Sequence, residues 1–184
     1  IGGTLMGNYT VGAQQRVTPQ YSGVASGPVK VVSTTGGKLL VSERVTCNGS
    51  FSELAAVSQA DLSSEQLLAW YDEQSPGMKN WVMIANQGSQ TAEVDVIIAG
   101  EIKGHYTVPA GSSIAPEFPQ TMNGPVRVVA NNGQPLTVSS RVMFNGAFNE
   151  VDGKAVSGLT SEYHVTWYVE QSPGMKRWNV AGNQ

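Results

Sequence analysis

With 184 residues, 40% of them hydrophobic and only 14% charged, the chain has apolar material for one large domain or two of immunoglobulin size, and it lacks the low hydrophobicity and high charge of a disordered chain. A formal net charge of −3, with 11 Lys and Arg scattered along the chain, argues against nucleic acid as a partner. A single cysteine, Cys47, excludes an intramolecular disulfide and a cysteine-rich metal site, and no run of 18 apolar residues offers a membrane span.

Taken in order, the elements read as strands separated by turns. The chain opens at Ile1, as a mature secreted chain or a fragment would, and Asn8-Tyr9-Thr10-Val11 is the first β-prone run. Thr35-Gly36-Gly37 marks a turn. Leu39, Val41, Val45 and Cys47 then alternate with Leu40, Ser42, Arg44 and Thr46, the period of two that places one face of a strand on a core. Asn48-Gly49 predicts a tight turn. Ser52 to Leu68 is the most helix-like stretch, and LLAWYDEQSPGMKNWVMIANQ at 67–87 predicts a hairpin about Ser75-Pro76-Gly77. Val94, Val96 and Ile98 alternate with Glu93, Asp95 and Ile97. Further turn signals stand at Asn123-Gly124-Pro125, Asn132-Gly133 and Asn145-Gly146.

Shifted by 97 positions the sequence matches itself without a gap, Ile1 against Ile98 through Gln87 against Gln184, with 38 of the 87 pairs identical. WYDEQSPGMKNW at 70–81 matches WYVEQSPGMKRW at 167–178, and VSERVTCNGSF at 41–51 matches VSSRVMFNGAF at 138–148. Such a period implies two copies of one module. The counterpart of Ser52 to Leu68 is interrupted by Val151-Asp152-Gly153 and Tyr163-His164-Val165, so that stretch is expected to be a connection with at most a short helical turn. Six to eight short strands in about 97 residues is the pattern of a β-sandwich, with a closed barrel the less favoured option. The expected fold is all-β: tandem immunoglobulin-like β-sandwich modules, circularly offset so that the first copy is incomplete.

If the module opens near Leu62, residues 62–158 are a complete copy, 1–61 a copy without its first strands, and 159–184 those first strands alone. The two fragments together lack only the positions matching Gly88 to Ile97. An incomplete sandwich exposes core surface and unpaired edges. Three accounts fit: the tail closes onto its own chain, it completes the first copy of the next chain, or the sequence is cut from a longer array.

The words WYDEQSPGMKNWVMIANQ, YTVPAG, FPQTMNGPVRVV and SSRVMFNGAFNE resemble a tandem β-module of secreted and cell-surface bacterial repeat proteins, a likeness that spans nearly the whole chain. It implies an extracellular or cell-surface location and modular architecture, and brings no catalytic residue or cofactor with it. Val169 stands where Asp72 does in the first copy, and Asn179 and Gly182 stand where Val82 and Ala85 do. These changes make the terminal strand less apolar.

His105 and His164 match Asn8 and Leu67 and are read as ordinary strand or surface residues, because no ligand or dyad spacing accompanies them. Cys47 matches Phe144 and is read as a buried small hydrophobe. Glu53, Glu65 and Glu73 recur as Glu150, Glu162 and Glu170, and Arg44 recurs as Arg141. Structural ion pairs are therefore expected among Arg44, Glu73, Arg141 and Glu170, in preference to a glycosidase pair or a calcium site. Trp70, Tyr71 and Trp81, with Trp167, Tyr168 and Trp178, are expected to pack in the core, a sugar platform being the alternative. Asn8-Tyr9-Thr10 and Asn48-Gly49-Ser50 fit the N-glycosylation triplet and mark exposed turns.

The expected function is that of a structural subunit of an extracellular filament or surface assembly, polymerising head to tail with copies of itself. Tyr163, Val165, Trp167, Tyr168, Trp178 and Val180 would be donated to an acceptor that includes Tyr9 and Val11. A carbohydrate-binding or adhesive module with surface glycans as partner is the competing expectation. No enzyme activity, cofactor or metal is expected, because no acid, base or nucleophile constellation is visible.

Overall fold

The computed structural model of the chain describes residues 1–166 and 180–181. Every regular element among them is a strand apart from two single turns of 3-10 helix, Gln59–Asp61 and Val156–Gly158. The strands are β1 (Ser42–Cys47), β2 (Ser50–Ala55), β3 (Glu65–Leu68), β4 (Tyr71–Asp72), β5 (Met78–Asn86), β6 (Ala92–Ile98), β7 (Glu101–Val108), β8 (Ser113–Ile114), β9 (Met122–Asn123), β10 (Val126–Ala130), β11 (Leu136–Phe144), β12 (Ala147–Asp152) and β13 (Lys154–Ala155). Every pairing between them is antiparallel.

Two sheets hold most of residues 65–155: a five-stranded one ordered β13-β3-β10-β6-β7 and a four-stranded one ordered β12-β11-β5-β8. The expected alternation is what makes them. Ala92, Val94, Val96 and Ile98 of β6 and Val126, Val128 and Ala130 of β10 are buried from one sheet, and Val82, Ile84, Leu136 and Val138 from the other. These side chains form one continuous cluster together with Leu68, Tyr71, Val108 and Phe118. Removing each such Val, Ile or Leu from water stabilises the fold by about 1.5–3 kcal/mol. Asn86 ends β5 inside this core, its Nδ2 donating to the Gln90 and Val108 carbonyls at 2.7 and 2.9 Å, so the burial leaves no amide hydrogen unpaired.

Residues 67–87 are not a hairpin. β3 pairs with β10 and β13, β4 with β9, and β5 with β11 and β8, so the chain changes sheets between Leu68 and Met78. The Pro-Gly turn is present, with Gly77 at φ +81° and the Asp72 carboxylate accepting the Gln74 and Ser75 N–H groups. It turns the chain toward a different partner, because Tyr71 anchors the crossing in the core. The expected connection from Ser52 to Leu68 also needs correction: it holds the last part of β2, one 3-10 turn and the whole of β3.

The hairpins β1–β2 and β11–β12 stand 97 positions apart and share one register: Ser42 faces Ala55 as Ser139 faces Asp152, and Cys47 faces Ser50 as Phe144 faces Ala147. Asn48 and Asn145 turn them at φ 50° and 49°, each followed by a glycine in the left-handed region.

Candidate assembly surface

β11–β12 is the one pair among β7 to β13 whose two members both have counterparts in residues 1–61. In the complete copy β7 pairs only with β6, β8 only with β5, β9 only with β4, β13 only with β3, and β10 lies between β3 and β6. The positions 97 lower than β3 to β6 fall before Ile1, apart from the last residue of β6. Counterparts of β7, β8, β9, β10 and β13 therefore have no such neighbour before them in the sequence, and among the described residues none of them forms a strand pair. β11 meets β12 over Ser139–Phe144, and 97 positions lower that is Ser42–Cys47, the extent of β1.

The consequence is visible along residues 1–41, which contain no strand and no buried residue. Val29, Val31 and Leu39 are 55%, 56% and 49% exposed, whereas Val126, Val128 and Leu136, which match them, are each 0% exposed. Leu5, Tyr9, Val11, Val17, Val24 and Val32 are exposed as well. This is a long row of exposed apolar side chains on backbone that forms no strand.

The sites expected at the other end of the chain are placed only in part. Tyr163, Val165 and Val180 are exposed. Trp167, Tyr168, Trp178 and Glu170 lie outside the described residues. Tyr9 and Val11 are exposed, and the Tyr9 and Tyr21 hydroxyls lie 2.8 Å apart. Their counterparts, Tyr106 and Val108, belong to β7, whose neighbour is β6 and not β3 or β5. Residues that sequence reasoning missed are Val29, Val31 and Leu39. The signal for Val29 and Val31 was the word GPVKVV, and for Leu39 the alternating run that it opens; no local pattern discloses which of these strands lies in the interior of a sheet.

Both arginines are paired, with glutamates of their own hairpins. Arg44 Nε lies 3.0 Å from Glu53 Oε2 and Arg141 Nη2 lies 2.9 Å from Glu150 Oε1. Each guanidinium also lies over a ring, Phe51 at 6.0 Å and Phe148 at 5.4 Å. The hydrogen bonds from Ser42 and Arg44 hold the Glu53 carboxyl below its ordinary pKa. Glu73 serves elsewhere: its Oε1 lies 2.9 Å from Lys79 Nζ and its Oε2 lies 2.9 Å from the Tyr71 hydroxyl, which accepts the Phe118 N–H at 2.7 Å. Arg44, Arg141 and Glu73 thus each take part in an ion pair, the arginines with the glutamate across their own hairpin and Glu73 with Lys79.

His105 faces the Asp95 carboxylate on the surface, and His164 lies 3.2 Å from Glu162. Cys47 is half-buried, not fully buried as expected, because it ends β1 at the tip of a hairpin. Tyr71 is buried and meets Phe118 edge-on at 5.6 Å, but Trp70 is exposed and Trp81 half-buried, so among the described residues the expected core packing holds for Tyr71 alone. A polar recess of about 280 Å³ is lined by Gln74, Glu101, Lys103, Gln120 and Asn123 among others. The matching positions of Glu101, Lys103, Gln120 and Asn123 in the first copy are Thr4, Met6, Gly23 and Ser26, so its chemistry is not repeated. Among the described residues no three His, Cys, Asp or Glu side chains converge as a metal site would require. No protein-family profile, curated protein or solved structure matches the chain at a significant level.

Proposed function

We propose that the chain is a structural subunit of an extracellular filament or surface assembly, made of tandem immunoglobulin-like β-sandwich modules and polymerising head to tail by strand complementation. The observation that carries this reading is the exposure of Val29, Val31 and Leu39 where their counterparts are wholly buried. Residues 159–184 hold the counterparts of β3, β4 and β5, the strands whose absence leaves residues 1–41 unpaired. By the complete copy's register, in which Val126 faces Leu68 and Val138 faces Ile84, Val29 of one chain would face Val165 of another, and Val41 would face Ala181. Tyr71, Glu73 and Lys79 also recur, as Tyr168, Glu170 and Lys176. A donated segment therefore carries the means to rebuild that buried network against Tyr21, the counterpart of Phe118.

The extracellular location rests on the resemblance of the sequence words, and no catalytic role forms part of the reading. Because β6 has no counterpart in the tail, residues 4–11 keep a free edge in such a junction. Hydrogen exchange tests the proposal directly. The amides of residues 29–33 should exchange freely in the dispersed chain and become slow at concentrations where assembly occurs. Fast exchange in the assembled state would sink it.

A further inference from the structure

Hairpin β1–β2 lies on hairpin β11–β12 through two different faces. From β1–β2 comes the face of Glu43, Val45, Ser52 and Leu54, two cross-strand pairs of one side. The Ser52 hydroxyl accepts the Glu150 N–H at 3.2 Å and lies 3.3 Å from Asn149 Oδ1. From β11–β12 comes the opposite face, that of Arg141, Phe148, Glu150 and Asp152. Since the hairpins share one register, each one owns both faces, with Ser140, Asn149 and Val151 standing where Glu43, Ser52 and Leu54 do. The chain therefore uses the contact once and leaves each half of it unused once.

The accepting half is open, and the presenting half is open on its β12 side, while Ser140, the counterpart of Glu43, is buried against Asn80. Phe148 is 8% exposed under this cover but Phe51, its counterpart, is 59% exposed, and the Glu150 side chain is 6% exposed against 35% for Glu53. The Arg–Glu pair and the ring beneath the guanidinium are present in both. On the other side Ser52 is buried while Asn149, its counterpart, is exposed, and Val151 beside Asn149 is exposed too. Because the halves differ, the contact is heterologous, and copies joined by it run head to tail.

We infer that the free face of β1–β2, centred on Phe51 with Arg44 and Glu53, is a docking site for a second copy of this chain, which presents Val151 and Asn149 of its β11–β12 hairpin. Continuity with the contact inside the chain identifies this occupant. In the docked pair Asn149 Oδ1, one lone pair of which already takes the Ser52 hydroxyl of its own chain, accepts the Glu53 N–H of the next copy with its other lone pair. The interface lies at the same junction as the proposed strand donation but does not depend on it.

The test uses two full-length variants, Phe51→Glu to spoil the accepting face and Val151→Glu to spoil the presenting one. Their mass is followed by light scattering across a dilution series, with circular dichroism to establish that each remains folded. Each variant is expected to weaken association at least tenfold, since a desolvated aromatic anchor and a charge forced against it dominate such contacts. Mixing the two should give more association than either alone, because each retains the half the other lacks. Unchanged association of the folded Val151→Glu chain overturns the inference. If removal of residues 163–184 abolishes association while neither substitution touches it, strand donation stands and this interface does not. The opposite pattern leaves this interface and removes strand donation.

Discussion

Ser52 and Asn149 stand 97 positions apart in the sequence and meet in space, Ser52 Oγ lying 3.3 Å from Asn149 Oδ1 while it accepts the Glu150 N–H. Positions matched by the 97-residue sequence period are thus brought side by side, the arrangement in which a contact can be repeated along an array. Ser52→Ala removes the acceptor for the Glu150 N–H on the free edge of β12. The expected cost is about 1 kcal/mol in the docking of the two hairpins, with faster exchange of the Glu150 amide and no change at β6 or β10. An unaltered Glu150 amide would show that the hydroxyl does not hold the hairpins together.

The two copies should respond unequally to the same substitution. Val128→Ala opens a cavity in the core and is expected to lower stability by about 2–3 kcal/mol in urea unfolding. Val31→Ala, at the matching position, is expected to change the dispersed chain by less than about 0.5 kcal/mol. In the assembled state Val31→Ala should become costly, read as weaker association. Equal costs in the dispersed chain would mean that residues 1–41 are already folded against something.

The Tyr71 hydroxyl joins the segment that changes sheets to the strand it enters. It lies 2.9 Å from both Glu73 Oε2 and the Asn80 carbonyl, and it accepts the Phe118 N–H. Tyr71→Phe keeps the ring but leaves that buried N–H and the Glu73 carboxylate short of a partner, at an expected cost of about 2 kcal/mol. Burial raises the pKa of the hydroxyl, with the Phe118 N–H opposing and Glu73 adding to the rise, so it stays protonated across the accessible pH range. The loss in Tyr71→Phe should accordingly be the same at about pH 6 and about pH 9. A loss that varied over this range would point to an ionised phenol.

The hairpin contact also sets a pH dependence. The Asp152 carboxyl titrates above its ordinary value, chiefly through burial, with Lys154 opposing and Glu150 reinforcing. Glu43 is raised for the same first reason, then by Glu150, with Arg141 opposing and Asp152 adding. A carboxyl raised in the folded state holds a proton that the unfolded chain has released. Stability therefore rises as pH falls through the folded values and levels off below the ordinary ones. Because Glu43 remains exposed to water, Asp152 should carry most of the effect. Below that window Glu53 and Asp95, both lowered by their hydrogen-bond partners, act in the opposite sense. Urea midpoints should increase as the pH falls from neutral toward the ordinary carboxylate range, and Asp152→Asn should flatten the rise. A midpoint that falls over this interval contradicts the assignment.

Much of this was legible in the sequence because it is local. Period-two alternation located β6 around Val94 and the Ser42–Cys47 part of the run expected from Leu39, while Leu39 to Val41 form no strand, and Asn48-Gly49 and Asn145-Gly146 located the hairpin turns, since those residues tolerate left-handed backbone. Strand partners were not legible. The run from Leu67 to Gln87 has every local mark of a hairpin, yet Leu68 faces Val126 and Ile84 faces Val138. The choice is made by Tyr71, whose buried network draws the crossing into the core. For the same reason Arg44 could be expected to hold a glutamate, but Glu53 is identified only by the hairpin's register. The acceptor surface was placed at Tyr9 and Val11, near the chain end. The more deeply matched positions Val29, Val31 and Leu39 emerge only when the sheet order shows which strands are interior.

Strand donation by the tail is the central claim, and the mass of the assembly in solution tests it most directly. Light scattering after gentle size separation, on the Phe51→Glu chain and on the same variant lacking residues 163–184, so that the hairpin contact is silenced in both, should give multiples of about 19.5 kDa for the first and a monomer for the second. A full-length chain that remains a folded monomer at high concentration, or a polymer that survives the truncation, would contradict it.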